Sequence, residues 1–392
     1  MKKFKRVFVI VCDSMGIGEG KDAKKYNDEG SNTFKHIDEK VGLNIPELAS
    51  MGIDRICDVK SRNVELDHSY ALAMNELSVG KDTLTGHYEL MGLEVTQPFK
   101  TFTETGFPQE LITELENLWG RKIIGNVSAS GTEIIKQLGE RQMKTGEAIV
   151  YTSSDSVLQI AAHEDIIPID ELYRMCEQAR EITMDEKYKL GRIIARPFVG
   201  TCAEDFKRTP RRHDYALKPF APTMLDILKE ANYDVISIGK IIDIFVGQGI
   251  TDSTKIVSND DGCEKILEKM KQDFTGLCFA NLVDFDMEYG HRRNVEGYGK
   301  AIEAFDNYVT KFKELLTEDD LLFITADHGN DPTWPGSDHT RERVPLLVYS
   351  KAFEKTGVLE ETDTFADLSA TIAENFGVKT TGLGKSFLSK LV

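Results

Sequence analysis

The six cysteines of this chain (Cys12, Cys57, Cys176, Cys202, Cys263 and Cys278) include no CxxC pair. That excludes a zinc knuckle and argues against a disulfide framework, leaving buried reduced thiols and a cytoplasmic compartment as the expectation. No segment approaches the ~20 consecutive apolar residues that a membrane helix requires, so no membrane partner is expected. Positive charge is scarce: 48 Lys and Arg stand against 65 Asp and Glu, a formal net charge of −17. A surface of that sign repels phosphate backbones and excludes nucleic acid as a partner, while a small anion could still sit in a local basic pocket. No glycine-rich phosphate cradle is visible either.

What the chain does have is length. Its 392 residues, 41% of them apolar, exceed what one hydrophobic core usually organises, and two domains are expected. The opening MKKFKRVFVIVCDS imitates a secretory signal, with Lys2, Lys3, Lys5 and Arg6 before an apolar run. The run from Val7 to Cys12 is too short and meets Asp13 with no small-residue cleavage site, so it reads as a first β-strand.

Further apolar runs alternate with helical patterns. RVFVIV ends at Asp13, YDVISIG precedes Lys240, LCFANLVDFD reaches Asp286 and DDLLFIT reaches Asp327. Runs without polar alternation suit parallel strands buried on both faces. Between the last two, Ala301, Ile302, Phe305, Tyr308, Val309, Phe312, Leu315 and Leu316 recur at helical spacing, a strand–helix–strand unit. The fold class expected is therefore α/β. Ligands of open α/β sheets gather outside the carboxyl ends of the strands, where Asp13, Asp286 and Asp327 all fall. Residues 98–218 differ: Gly and Ser are frequent around GNVSASGTE, short strands such as EAIVYTSS and GRIIARPFVG carry basic residues, and Pro98, Pro219 and Pro222 bracket the region. The division expected is a core of 1–97 with 219–392, and an inserted α+β cap of 98–218.

Three histidines sit beside acids: Asp286 with His291, Asp327 with His328, and Asp338 with His339. One such pair is usually a solvated loop or helix cap, but together, at strand ends and with Asp13, they read as a metal site. Carboxylate oxygen mixed with imidazole nitrogen, without thiolate, suits Mn²⁺, Zn²⁺, Fe²⁺ or Co²⁺, with ligands enough for two ions. Two metals roughly 3.5 to 4 Å apart can clamp the attacking and leaving oxygens of a phosphoryl group. The stretch GKDTLTGHYELMG, residues 80–92, then offers Thr83 and Thr85 as nucleophiles that a divalent cation could activate. An equal alternative is that Asp82 or Thr83 merely caps a following helix, with Gly80 and Gly86 shaping the turn.

That stretch, with VCDSMGIGE, NLVDFDMEYGHRRN, TADHGNDPTWPGSDHTRERVPLL and RRHDYA, closely resembles the phosphopentomutases, a family of the alkaline phosphatase superfamily. The likeness runs from Val11 to the C-terminal GLGKSFL. It implies an alkaline phosphatase-like core, a mostly parallel sheet flanked by helices, with an inserted cap. It also implies interconversion of α-D-ribose 1-phosphate, or its 2-deoxy equivalent, with the 5-phosphate through a phosphothreonine enzyme and a pentose 1,5-bisphosphate. Two Mn²⁺ ions are implied, one held by Asp286, His291 and His339, the other by Asp13, Asp327, His328 and Thr85. A sugar bisphosphate, glucose 1,6-bisphosphate or ribose 1,5-bisphosphate, would prime the carrier. The resemblance implies Thr85, immediately before Gly86, as that carrier, with a structural role for Thr83. Tyr88 departs from the Trp common there but keeps an aromatic.

In the cap, basic residues would hold the distal phosphate and exclude water, which would otherwise turn a mutase into a phosphatase. Arg192, Arg208 and Lys240 are the candidates, with Arg196, Arg211 and Arg212 as lesser ones; Asp155 resembles a cap acid on the sugar hydroxyls. Two other readings stay open: a two-metal phosphatase or phosphodiesterase, which would release inorganic phosphate, and a silent metal or phosphosugar binding module, which would never carry phosphate. A cofactor-independent phosphoglycerate mutase shares the two-metal core but uses a serine in a different loop.

Overall fold

A computed structural model describes residues 3–153 and 156–391. It divides into two compact units, Met1–Gln97 with Pro219–Val392, and Pro98–Lys218.

The first unit is built on an eight-stranded sheet. At its centre lies β1 (Arg6–Cys12), between β2 (Gly276–Leu282) and β3 (Asp320–Thr325), both parallel to it. Every residue of these three strands is buried. That is why their sequences run apolar without alternation: each face of the sheet is covered, and neither can carry solvated side chains. Asp234–Ile238 continues the parallel set beyond β2. On the other side Val344–Tyr349 runs antiparallel to β3 and to Ser69–Met74.

The register explains how residues far apart in sequence meet. Cys12 pairs with Leu282, and Val11 with Thr325, so the three central strands end level with one another. Asp13 follows β1 at once, Asp327 follows β3 by two residues, and Asp286 lies in a π-helical turn, Phe285–Gly290, just after β2. Wide turns of this kind are uncommon and recur at functional sites. Two helices frame this end: α1 (Thr83–Leu90) and α2 (Val295–Leu315), the latter the helix expected from the spacing of its apolar residues.

The second unit has a six-stranded sheet containing Ala148–Thr152, Val157–His163 and Arg192–Val199. Helices Gln109–Trp119 and Ile169–Ile182 bury Leu111, Leu115, Leu172 and Met175 with Val150, Leu158 and Ile160 from one face. Helix Gly131–Thr145 covers the opposite face, where Ile134 and Ile135 join Ile149, Tyr151 and Phe198. Strand alternation thus supplies a core to both sides of one sheet. All six cysteines are unpaired. Among the described residues, no helix is long and apolar enough to cross a membrane.

Candidate metal centre

The sequence gathers Asp13, Asp286, His291, Asp327, His328 and His339 into one cluster at the carboxyl ends of the central strands. Asp286, His291 and His339 offer ligand atoms within 4.8 Å of one another, and so do Asp13, Asp286 and His328. His291 Nε2 lies 3.1 Å from Asp286 Oδ2, and His339 Nε2 lies 3.5 Å from Asp286 Oδ1. His328 Nε2 is 3.3 Å from Asp327 Oδ2 and 3.5 Å from Asp13 Oδ1.

The backbone fixes which nitrogen faces the centre. The Nδ1 atoms of His291, His328 and His339 lie 2.9, 3.1 and 2.9 Å from the carbonyl oxygens of Ser337, Gly329 and Lys81. A carbonyl only accepts, so each Nδ1 carries the proton and each Nε2 turns its lone pair inward. His291 Nε2 and His339 Nε2 then face each other at 3.1 Å. A proton or a cation between them is needed to remove that repulsion. Two buried carboxylate oxygens, Asp13 Oδ1 and Asp327 Oδ2, accept no hydrogen bond. Converging imidazole lone pairs, buried acids and unsatisfied oxygens fit divalent cations, and protonated Nδ1 atoms held by carbonyls are the usual outer support of such ligands.

The charges are strained without such ions. Burial pushes the Asp13 carboxyl up to about 6, and the neighbouring charges of Asp327 and Asp286 add to the effect. Burial works the same way on Asp286 and Asp327, but His339 holds the first, and His328 with His87 the second, well below the usual carboxylate range. Burial favours neutral His328, yet Asp327, Asp13 and Asp286 raise its pKa well above the ordinary value. A doubly charged ion at this point would relieve all three acids.

Both threonines of the loop lie in the first turn of α1. Asp82 caps α1, its Oδ1 accepting from the N–H groups of Leu84 and Thr85 at 3.0 and 3.2 Å. Thr85 is fully buried, and its hydroxyl donates to Asp82 Oδ2 at 2.6 Å. It completes the cap at the start of α1, and a Cβ on the next residue, Gly86, would lie 2.0 Å from the backbone oxygen of Asp327, so this helix start packs against the segment that carries Asp327 and His328. Thr83, half-buried, places Oγ1 3.3 Å from His328 Nε2.

Three supporting residues escaped the sequence reading. His87 Nδ1 donates to Thr83 O at 2.8 Å, and its Nε2 accepts from Asn281 Nδ2 at 3.2 Å. Asn281 Nδ2 also donates to Asp13 Oδ2 at 2.9 Å. The spacing Thr83 to His87 is i to i+4, one helix face, and Asn281 is the polar residue inside LCFANL; both signals were visible. Asn330 similarly donates to Asp286 Oδ1 at 2.7 Å.

Of the proposed phosphate-holding residues, Lys240 is exposed at the start of Ile241–Ile244, and its charge bears on Asp13. In the second unit, Arg192 begins its strand with Nη1 3.8 Å from Asp214 Oδ2. Arg208 lies on the short strand paired to Phe198 and Val199. A Cβ on Gly131, the first residue of its helix, would come 2.2 Å from Arg208 Nη2 and 2.3 Å from the Tyr151 hydroxyl, so the two polar groups converge on that helix start. Arg196 is pushed down to about 10 by burial and by its neighbours Arg212 and Arg208. Asp155 lies outside the described residues.

A family model described as the metalloenzyme superfamily matches residues 5–380. Among solved structures, a protein from Pyrococcus horikoshii is similar over 98% of this chain and 100% of its own, at 13% identity and a TM-score of 0.50. A phosphoglycerate mutase from Leishmania mexicana, solved at low cobalt concentration, is similar over 98% of both chains, at 13% identity and a TM-score of 0.49. At such identity the first likeness is one of fold: a mixed α/β, alkaline phosphatase-like core with helices on a parallel-rich sheet. Matched over almost its whole length, the chain belongs to the metalloenzyme superfamily, whose members work with divalent metal ions.

Proposed function

We propose that the chain is a phosphopentomutase, an isomerase that moves a phosphoryl group between O1 and O5 of ribose or 2-deoxyribose by way of a phosphothreonine. One observation carries the reading: the helix start that bears Thr83 and Thr85 packs against the converged acids and histidines, with Gly86 against the Asp327 backbone and Thr83 Oγ1 3.3 Å from His328 Nε2. The carrier assigned is Thr85, with a structural role for Thr83.

Asp286, His291 and His339 would hold one cation, and Asp13, Asp327 and His328 the other; Mn²⁺ suits these donors. When bound, the two ions draw charge from the phosphoryl oxygens and favour the threonine alkoxide. The chain's own residues do the rest. Phosphorylated Thr85 gives its phosphoryl group to the free hydroxyl of a pentose monophosphate; the Oγ1–P bond breaks as the new O–P bond forms. The resulting 1,5-bisphosphate turns over, and its other phosphate returns to Thr85 Oγ1. A sugar bisphosphate primes the enzyme. The start of α1 adds partial positive charge beside the phosphothreonine. His87 fixes the Thr83 carbonyl in the first turn of α1. Arg192, Arg208 and Lys240 are assigned to the distal phosphate and Asp155 to the sugar hydroxyls; their support is chemical type and motif.

The test is product partition. Mn²⁺-loaded protein primed with glucose 1,6-bisphosphate should convert ribose 1-phosphate mainly to ribose 5-phosphate. Inorganic phosphate as the main product would replace the reading with a phosphatase, and binding without turnover would leave a phosphosugar-binding module.

A further inference from the structure

The motif DHTRERVP contributes His339 to the cluster, yet its Arg341 is among the largest fully buried side chains in the protein, 2% exposed. Burying a guanidinium is costly unless every donor is used in good geometry. Here its donors converge on the chain just before Thr83. Nη1 donates to the carbonyl of Gly80 at 2.6 Å and to the Glu76 carboxylate; Nη2 donates to the carbonyl of Glu76 at 2.7 Å; Nε donates to Asp22 Oδ1 at 2.8 Å. The guanidinium lies 5.0 Å above the Tyr26 ring, and the Tyr26 hydroxyl accepts from the N–H of Gly80 at 3.2 Å. Both ends of residue 80 are therefore gripped, one by the arginine and one by the ring on which it rests.

One residue on, the carbonyl of Lys81 accepts from His339 Nδ1 at 2.9 Å. Segment 339–341 thus holds two successive carbonyls of the turn that leads into α1, and one of its two holding groups is itself a member of the metal cluster. The turn and the cluster share a single frame.

We propose that Arg341 is a positioning residue for phosphoryl transfer: with Tyr26 it sets the Gly80–Asp82 turn, and so the Asp82 carboxylate that holds Thr85 Oγ1 at the start of α1. This rests on the reading of Thr85 as the carrier. Lysine keeps the charge but loses the planar fork that reaches two carbonyls and two carboxylates at once. A displacement of about 1 Å at a reacting group costs on the order of 100-fold in rate.

The experiment uses the full chain loaded with Mn²⁺. In Arg341→Lys, the rate of phosphoryl uptake from glucose 1,6-bisphosphate, followed by intact mass, should fall about 100-fold, with Mn²⁺ affinity by calorimetry within about 3-fold of wild type. Amide hydrogen exchange should accelerate at least about tenfold in a peptide spanning residues 78–86 and stay unchanged in β1. Wild-type uptake and exchange in a folded Arg341→Lys protein overturn the proposal and leave the carrier reading intact. If the wild type itself takes no phosphoryl group, the carrier reading falls and takes this one with it. Should Arg341→Lys not fold, Tyr26→Phe decides: it keeps the ring and removes only the acceptor of the Gly80 N–H. Faster exchange at 78–86 with slower uptake supports the clamp, and wild-type values for both overturn it.

Discussion

Thr83 and Thr85, two residues apart, should respond unequally when each hydroxyl is replaced by a methyl group. In Thr85→Val the Asp82 carboxylate loses the donor held at 2.6 Å in a fully buried position. A hydrogen bond to a charged group is worth about 1.5–3 kcal/mol, and the abandoned oxygen stays largely buried, so a loss of about 2 kcal/mol is expected. Thr83 is half-buried, and its contact with His328 Nε2 at 3.3 Å is long. Thr83→Val should change stability by no more than about 0.5 kcal/mol. Function should divide the same way. Denaturant unfolding of the metal-free proteins gives the stabilities; intact mass after incubation with glucose 1,6-bisphosphate gives the labelling. Thr85→Val should be the less stable protein and take no phosphoryl group, Thr85→Ser should recover part of the labelling, and Thr83→Val should be stable and take one group. A labelled Thr85→Val, or a stable Thr83→Val that cannot be labelled, would refute the assignment.

Two further outcomes follow from the same region. A Cβ on Gly86 would lie 2.0 Å from the backbone oxygen of Asp327, so Gly86→Ala must push α1 away from the segment carrying Asp327 and His328. Overpacking against backbone costs about 3 kcal/mol or more, and calorimetry should show Mn²⁺ affinity falling at least about tenfold; unchanged affinity would show that helix and cluster are not coupled. Glu342 is buried, which pushes its carboxyl up to about 7, although the Thr340 hydroxyl and the N–H of Thr33 favour the charge. Its folded value exceeds the usual one near 4.5, so its contribution is complete below pH 4.5 and is lost as pH rises through 7. Glu342→Gln should flatten that part of the stability profile, measured by denaturant unfolding between pH 4.5 and 8; an unchanged slope would assign the dependence to other groups.

Much of this architecture was written plainly in the chain. RVFVIV, LCFANL and DLLFIT are apolar throughout because both faces of the sheet are covered, and that pattern placed Asp13, Asp286 and Asp327 at strand ends before any coordinates. The histidines beside them were legible for the same reason. The cap geometry around Thr83 and Thr85 was not, because it depends on where α1 begins. One residue of shift in the cap rotates every side chain by about 100°. Asp82 as the capping residue puts Thr83 in the first helical position and turns Thr85 into the protein. Arg341 was invisible for a different reason: a charged residue in a charged motif reads as solvated surface, and only the fold shows it enclosed by Glu76, Asp22 and Tyr26.

The three imidazoles of the cluster take their tautomers from the carbonyls of Ser337, Gly329 and Lys81. The electronic readiness of the site is therefore set by peptide groups, which no point substitution deletes. Lineages can exchange the side chains at 81, 329 and 337 without erasing these acceptors, yet each exchange can tilt a carbonyl and retune how strongly an ion is held. The choice among Mn²⁺, Co²⁺ and Zn²⁺ can then drift through residues that never touch the metal.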